Sequence, residues 1–248
     1  VSSKDQRDMN LSTFPNLKRV HAKRLRELYR SAGWPYQDVI EIELLAAGLL
    51  QRVPDAAGVE CMRVTDAGLK YLAAAAQANR EALSAHNTMV DKIASMMVED
   101  GRIAWKGLQL MAPLPPSEER ERRWRTCIPD VFSIRNSTVQ SYLEPIVHEI
   151  KVSRADLLGD LKNKDKRNAY LGIGGQCWYV LGCNARGEPI ASPEEIPAEC
   201  GVMVYAEGRL EVLRGAPKRA VAQLPFHVWM ALAKAVPVRL GKEGDDRL

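Results

Sequence analysis

The chain lacks the usual signs of a disulfide-stapled, zinc-bound or membrane-spanning protein. Its 248 residues include five cysteines, Cys61, Cys127, Cys177, Cys183 and Cys200, an odd number with no Cys-x-x-Cys pair. That pattern argues against a disulfide framework and against a structural zinc site. The four histidines are scattered and form no His-Glu-x-x-His run. No apolar stretch approaches the roughly 20 residues needed to cross a bilayer, and the first residues show no secretory pattern. These absences predict free thiols in a reducing compartment and a soluble, cytoplasmic protein with no membrane partner. No internal repeat is visible, and "AAAA" at 73–76 is the one low-complexity patch. What remains is ordinary globular composition, 46% hydrophobic and 27% charged, enough for a sizeable core. Net charge is +4. Its distribution says more than its sum. Lys4, Arg7, Lys18, Arg19, Lys23, Arg24, Arg26 and Arg30 face only Asp5, Asp8 and Glu27 in the first thirty residues. Such a local excess suits a nucleic-acid surface, or equally a solvated helix face.

Residues 1–16 read as a loose arm. Leu17, Val20, Leu25 and Leu28 recur at helical spacing, and "SAGWP" at 31–35 ends that helix. A second helix follows in "YQDVIEIELLAAGLL", with Val39, Ile42, Leu45, Leu49 and Leu50 in one stripe. "QRVPDAAGVECMRVT" predicts a hairpin, with Pro54-Asp55 as its turn signal. Thr65 is placed to N-cap a helix in "TDAGLKYLAAAA". This succession, "LLAAGLLQR" then "RVTDAGLKYL", resembles a winged-helix module over residues 17–80. The resemblance implies either DNA contact, through a helix in the major groove and a wing on the backbone, or protein docking. The helix that would read bases carries Glu41 and Glu43 and no Lys or Arg. Carboxylates repel phosphate, so packing or formation of a homodimer is the better use of it.

From residue 81 to 248 the pattern is that of an α/β domain. "EALSAHNTMVDKIASMMVEDG" predicts a helix with Met89, Ile93, Met96 and Met97 on one face, closed by Gly101. "RIAWKGLQLM", "IPDVFSIR" and "EPIVHEIKVS" read as strands, with a Pro-rich charged loop, "APLPPSEERERRWRT", between the first two. "SRADLLGDLKNKDKRNAYL" reads as one helix, capped by Ser153 with Asp156 three residues on. "QCWYVLG" is a short apolar strand, so the order is αβββαβ. A hairpin turning on Glu-Gly in "CGVMVYAEGRLEVLR" and a helix in "PFHVWMALAKA" complete the chain.

The third strand poses a question. Successive side chains alternate faces. Ile146, His148, Ile150 and Val152 point one way; Val147, Glu149 and Lys151 point the other. An acid and a base thus share one side of an apolar strand. A surface ion pair on an edge strand is the plain explanation. The sharper one uses Asp130, which opens the preceding strand. If the two strands pair antiparallel, Asp130 lies beside Glu149. Two adjacent carboxylates repel and would be reconciled by a hard cation with oxygen ligands.

Pro129-Asp130 followed by Glu149-Ile150-Lys151 resembles the PD-(D/E)XK nuclease superfamily. The longer run from Glu149, "EIKVSRADLLGDLKNK", is similar to the MmcB-like DNA-repair family, a restriction-endonuclease-like group. The resemblance implies a restriction-endonuclease-like αβββαβ core with an N-terminal winged-helix-like module. It implies a Mg²⁺- (or Mn²⁺-) dependent nuclease whose partner is DNA. Asp130, Glu149 and the carbonyl of Ile150 would hold the metal, with Asp91 or Glu99 of the first helix as an added acid. Lys151 would orient the attacking water or offset charge on the phosphate. Lys162, Lys164, Lys166 and Arg167 would engage DNA phosphates, and Tyr170 would line the site. The alternatives are a catalytically inactive nucleic-acid-binding protein on the same fold, and a winged-helix regulator or scaffold. His148 points away from Glu149 and reads as a packed core residue.

Overall fold

A computed structural model describes residues 14, 16–31, 33–114 and 123–240. Most of the expected arm, and the part of the charged loop at 115–122, lie outside the described residues. The chain divides into two compact units, Val1–Leu83 and Ser84–Leu248.

The first unit contains helices α1 (Arg19–Arg30) and α2 (Val39–Ala46), strands β1 (Leu50–Pro54) and β2 (Glu60–Val64), and the opening turns of α3 (Asp66–Glu99). The hairpin forms as its sequence predicts. Its turn is held by Asp55, whose Oδ1 accepts from the N–H groups of Ala57 and Val59 at 2.8 Å each. Thr65 caps α3: its Oγ1 accepts from Gly68 N–H at 3.1 Å. Leu25, Leu28, Leu44, Leu49, Leu50 and Met62 form the core. Two faces differ from expectation. Val20 is half exposed, and His21 takes the inward position. On α2, Val39 and Ile42 are exposed while Glu41 is buried and accepts from Tyr36 N–H at 2.6 Å. Glu43 is bonded to His21. The stripe turned because the helix is only eight residues long, so Leu49 and Leu50 lie beyond its end and Leu44 sets the buried side. The two carboxylates that would repel phosphate are thus engaged within the unit.

One helix, α3, replaces the two expected around residues 66–76 and 81–100. The intervening "QANRE" holds strong helix formers and neither Gly nor Pro, so nothing stops propagation. Residues 84–99 of α3 belong to the second unit.

That unit is built on a mixed six-stranded sheet. Its strands are β3 (Arg102–Lys106), β6 (Val131–Arg135), β7 (Ile146–Lys151), β8 (Gln176–Leu181), β9 (Gly201–Ala206) and β10 (Arg209–Arg214). A separate two-stranded ribbon, β4 (Leu110–Leu114) with β5 (Arg123–Cys127), lies between β3 and β6 in sequence. Sheet order is β10-β9-β8-β7-β6-β3, with β7, β8 and β9 mutually parallel and the other pairs antiparallel. The expected strand "RIAWKGLQLM" breaks at Gly107, where φ is 57°. Part of the expected loop becomes the β4–β5 ribbon, with Leu110, Ala112 and Leu114 inward. Pro113 obscured that strand, but a two-stranded ribbon has free edges that tolerate a missing N–H.

Both sheet faces are covered. Val90, Ile93, Ala94 and Met97 of α3 pack with Ala104, Val131, Ile150 and Val180. On the other face, Val147, Tyr179 and Leu181 meet Leu157 of α4 (Arg154–Leu161) and Ala169, Tyr170 and Ile173 of α5 (Lys164–Ile173). Val228 and Leu232 of α6 (Phe226–Lys234) join the same core. The sequence read α4 and α5 as one helix. Asn163 interrupts it by capping a new one, its side chain accepting from Lys166 N–H at 3.2 Å. Ser153 caps α4 as expected, accepting from Asp156 N–H. Among the described residues, no helix is long and apolar enough to cross a membrane.

Candidate functional site

Strand β7 is central, and Glu149 and Lys151 are 2% and 5% exposed. The surface ion pair on an edge strand is therefore overturned. Burying a carboxylate and an ammonium is costly unless each is paired and hydrogen-bonded, so their partners define the site.

Strands β6 and β7 pair antiparallel with Val131 opposite His148. The next pair in that register is Asp130 with Glu149. The Asp130 carboxylate does not hang free: its Oδ2 accepts from Ile150 N–H at 2.7 Å. That bond ties the loop before β6 to the end of β7. Lys151 C=O faces β8, where it accepts from Gly182 N–H at 2.8 Å. By strand alternation the Ile150 carbonyl turns to the Asp130 side.

Glu149 uses one oxygen twice. Its Oε1 accepts from Lys151 Nζ at 2.7 Å and from Lys166 Nζ at 2.5 Å. Its Oε2 is buried with no hydrogen-bond partner among the described residues. Lys166 also reaches Asp160 Oδ1 at 2.6 Å, and Tyr179 donates to Asp160 Oδ2 at 2.8 Å. Lys151 lies 3.3 Å from Asp156 and 3.7 Å from Asp160. Burial raises the Glu149 pKa, and the Asp130 charge adds to this against the two lysines. Burial works against the Lys151 charge, but Glu149 beside it prevails and the ammonium is held above its usual range. Asp160 is likewise penalised by burial, yet Lys166 and Lys151 hold it below the usual carboxylate range.

Asp130 thus reaches the Ile150 backbone and Glu149 the Lys151 ammonium, on adjacent strands in the antiparallel register. Tyr170 lines the cluster: Lys166 Nζ stands 5.4 Å from its ring, and its hydroxyl donates to Ile128 C=O at 2.9 Å. Other expectations are corrected. Asp91 is exposed and pairs with Lys106 at 2.5 Å, on the outer side of α3. His86 meets Asp130 instead, with Nε2 3.3 Å from Oδ2. Five residues of helix turn through about 140° beyond a full circle, so Asp91 points away from what His86 faces. Lys166 is turned inward onto acids and is no free phosphate contact. Arg167 is buried, bonded to Glu199 at 3.1 Å and to Leu161 C=O at 3.3 Å. Of the four expected DNA-contacting cations, Lys162 and Lys164 are the exposed ones.

The sequence reading missed His86, Asp160 and Tyr179. His86 had a signal: it lies on one stripe with Val90, Ile93 and Met97, the face of α3 that packs on the sheet. Contact with Asp130 raises the His86 pKa, partly offset by burial. Asp160 lies within the run from Glu149 that carries the family resemblance, but its partner Lys166 sits across the helix break, so spacing alone did not join the two.

The cluster brings four carboxylates, of Asp130, Glu149, Asp156 and Asp160, against two ammoniums and one imidazole. That balance favours a cation. Among the described residues, no three His, Cys, Asp or Glu side chains converge as a metal site. A metal here would have two side-chain ligands, Asp130 and the open Oε2 of Glu149, plus the Ile150 carbonyl. Such a sparse oxygen set fits a hard cation that retains water.

No protein-family model matches the chain, and no curated protein matches it. Among solved structures, a protein of unknown function from Silicibacter pomeroyi is similar at a TM-score of 0.36 and 20% identity, over 58% of this chain and 79% of that one.

Proposed function

We propose that the protein is a Mg²⁺- or Mn²⁺-dependent deoxyribonuclease of the PD-(D/E)XK type, with a restriction-endonuclease-like core related to the MmcB-like family, acting in DNA repair or defence. One observation carries this reading: the open Oε2 of a buried Glu149, with Asp130 opposite it in register and Lys151 at 2.7 Å. The cation, when bound, supplies Lewis-acid polarisation of the phosphate and a lowered pKa for water. Asp130 is held in place by Ile150 N–H, so its free lone pairs are oriented before any ligand arrives. Lys151 is kept protonated by Glu149. It therefore acts as a fixed positive charge against the negative charge growing on the phosphate, and not as a general base. Lys162 and Lys164 are exposed, and in this reading they would meet the DNA backbone.

The first unit, winged-helix-like in its order of elements, shows Val39, Ile42, Trp34 and Tyr36 to solvent. That apolar surface supports packing against a protein or a second copy over base reading.

The test is cleavage of a panel of DNA structures with Mg²⁺ or Mn²⁺, alongside calorimetric metal binding. Glu149→Gln should abolish both while the chain stays folded. Equal cleavage by wild type and Glu149→Gln would end the nuclease reading. A non-catalytic nucleic-acid-binding role is the second reading. It is favoured by the double capture of Glu149 Oε1 by lysines, which compensates the buried charge with no metal.

A further inference from the structure

The first unit gathers exposed cations on one face of α1. Arg19, Lys23 and Arg26 recur at i, i+4 and i+7, a single helical stripe. Lys18 stands at its start. Together with α3 they bound a groove of about 590 Å³. The α3 wall is small and uncharged, made of Ala75, Ala78 and Asn79 beside the buried Tyr71. Among the described residues, no acid lines the groove.

The helix sorts its charges. Arg24, on the opposite side of α1, is neutralised: it bonds Asp38 at 2.7 Å, stands 3.6 Å from Glu27 and lies over the Tyr36 ring at 3.8 Å. In the groove, Lys18, Arg19 and Arg26 meet no acid among the described residues. Lys23 has Glu27 at 3.8 Å, an exposed pair that neutralises little. The first turn of α1 also contains no acid. Lys18 and Arg19 therefore face the positive end of the helix dipole, which costs helix stability. An anion in the groove relieves both conflicts.

The shape selects the anion. From Arg19 to Arg26 the helix rises about 10 Å, roughly the axial rise of three phosphates on one strand of a duplex. A row of charges of that length suits an extended polyanion. The alanine wall has no pocket lined by large apolar side chains to anchor a peptide. It also shows no exposed aromatic ring on which the bases of a single strand could stack, since Tyr71 is 6% exposed. We propose that the groove between α1 and α3 holds the phosphate backbone of duplex DNA, without reading its sequence. This agrees with α2, whose Glu41 and Glu43 make it a poor base reader. The inference shares the DNA partner of the proposed nuclease but none of the Glu149 cluster, so binding here and cleavage there fail separately.

The test is binding of the full chain in EDTA, with no cleavage possible, to two duplexes of unrelated sequence, a single strand and polyglutamate, over about 50–200 mM salt. Both duplexes should bind alike and more tightly than the single strand or the polyglutamate. Arg19→Gln with Arg26→Gln, at exposed helix positions where Gln is well tolerated, should weaken duplex binding by about tenfold or more and reduce the salt slope by about two units. Asn79→Asp adds one negative charge with no change of volume and should weaken it by about fivefold. Arg209→Gln, exposed on the second unit, should leave both measures unchanged. The inference is overturned by no duplex binding at about 100 μM protein in low salt, by a single strand or polyglutamate binding as tightly, by a salt slope unmoved in the double variant, or by an equal loss in Arg209→Gln.

Discussion

Replacing Lys166 with Met tests whether the charge cluster is a unit of the fold or a set of idle surface groups. The substitution keeps the length and packing of the stem and removes the ammonium. Two charge-assisted bonds disappear, at 2.5 Å to Glu149 and 2.6 Å to Asp160. Neither acid is left alone. Glu149 keeps Lys151 at 2.7 Å, and Asp160 keeps the Tyr179 hydroxyl at 2.8 Å. The loss should therefore fall below the 3–5 kcal/mol of a fully stranded buried charge and near the roughly 2 kcal/mol of a bond to a charged group. For a chain of this size that lowers the melting temperature by about 4–8 °C. Lys164→Met, two residues away and exposed, should change stability by less than about 0.5 kcal/mol. If Lys164 meets a phosphate, its loss should lower the salt dependence of DNA binding by about one unit of slope. Thermal melts and DNA titrations across a salt series measure both. A Lys166→Met chain as stable as wild type, with a reduced salt slope, would refute the inward assignment and restore Lys166 as a phosphate contact.

His148 should make stability fall with acid. Its folded pKa is about 3 against an ordinary 6.5, so the unfolded chain binds the extra proton. Stability is full above pH 6.5 and declines by up to about 1.4 kcal/mol per pH unit down to about pH 3; urea titrations should show that slope reduced in His148→Leu. Gly201→Ala should cost more than about 2 kcal/mol, because its Cβ meets a rigid indole at 2.3 Å, and an unchanged urea midpoint would contradict that packing. Asp91→Ala should leave metal affinity unaltered by calorimetry, since the carboxylate is exposed and bound to Lys106; a tenfold loss would bring Asp91 back into the site.

Local chemistry was readable from the sequence alone. The Asp55 turn, the Thr65 and Ser153 caps, the apolar strands and the Glu-Gly hairpin depend on neighbours within a few residues, and a string displays those directly. The Asp130, Glu149 and Lys151 triplet was also legible, because strand alternation and one antiparallel pairing suffice to join it. Tertiary structure decided the rest. Whether Glu149 lay at an edge or in the middle of a sheet depended on β8, β9 and β10 adding to one side of β7. Lys166 became an inward-turned, half-buried partner because Asn163 ended one helix and began another. His86 reached Asp130 only through the packing of α3 against the sheet. The basic groove joins a face of α1 to a face of α3, a convergence that no local spacing encodes. Burial and long-range register are properties of the assembled chain, and they determine which charges are paired and which remain open.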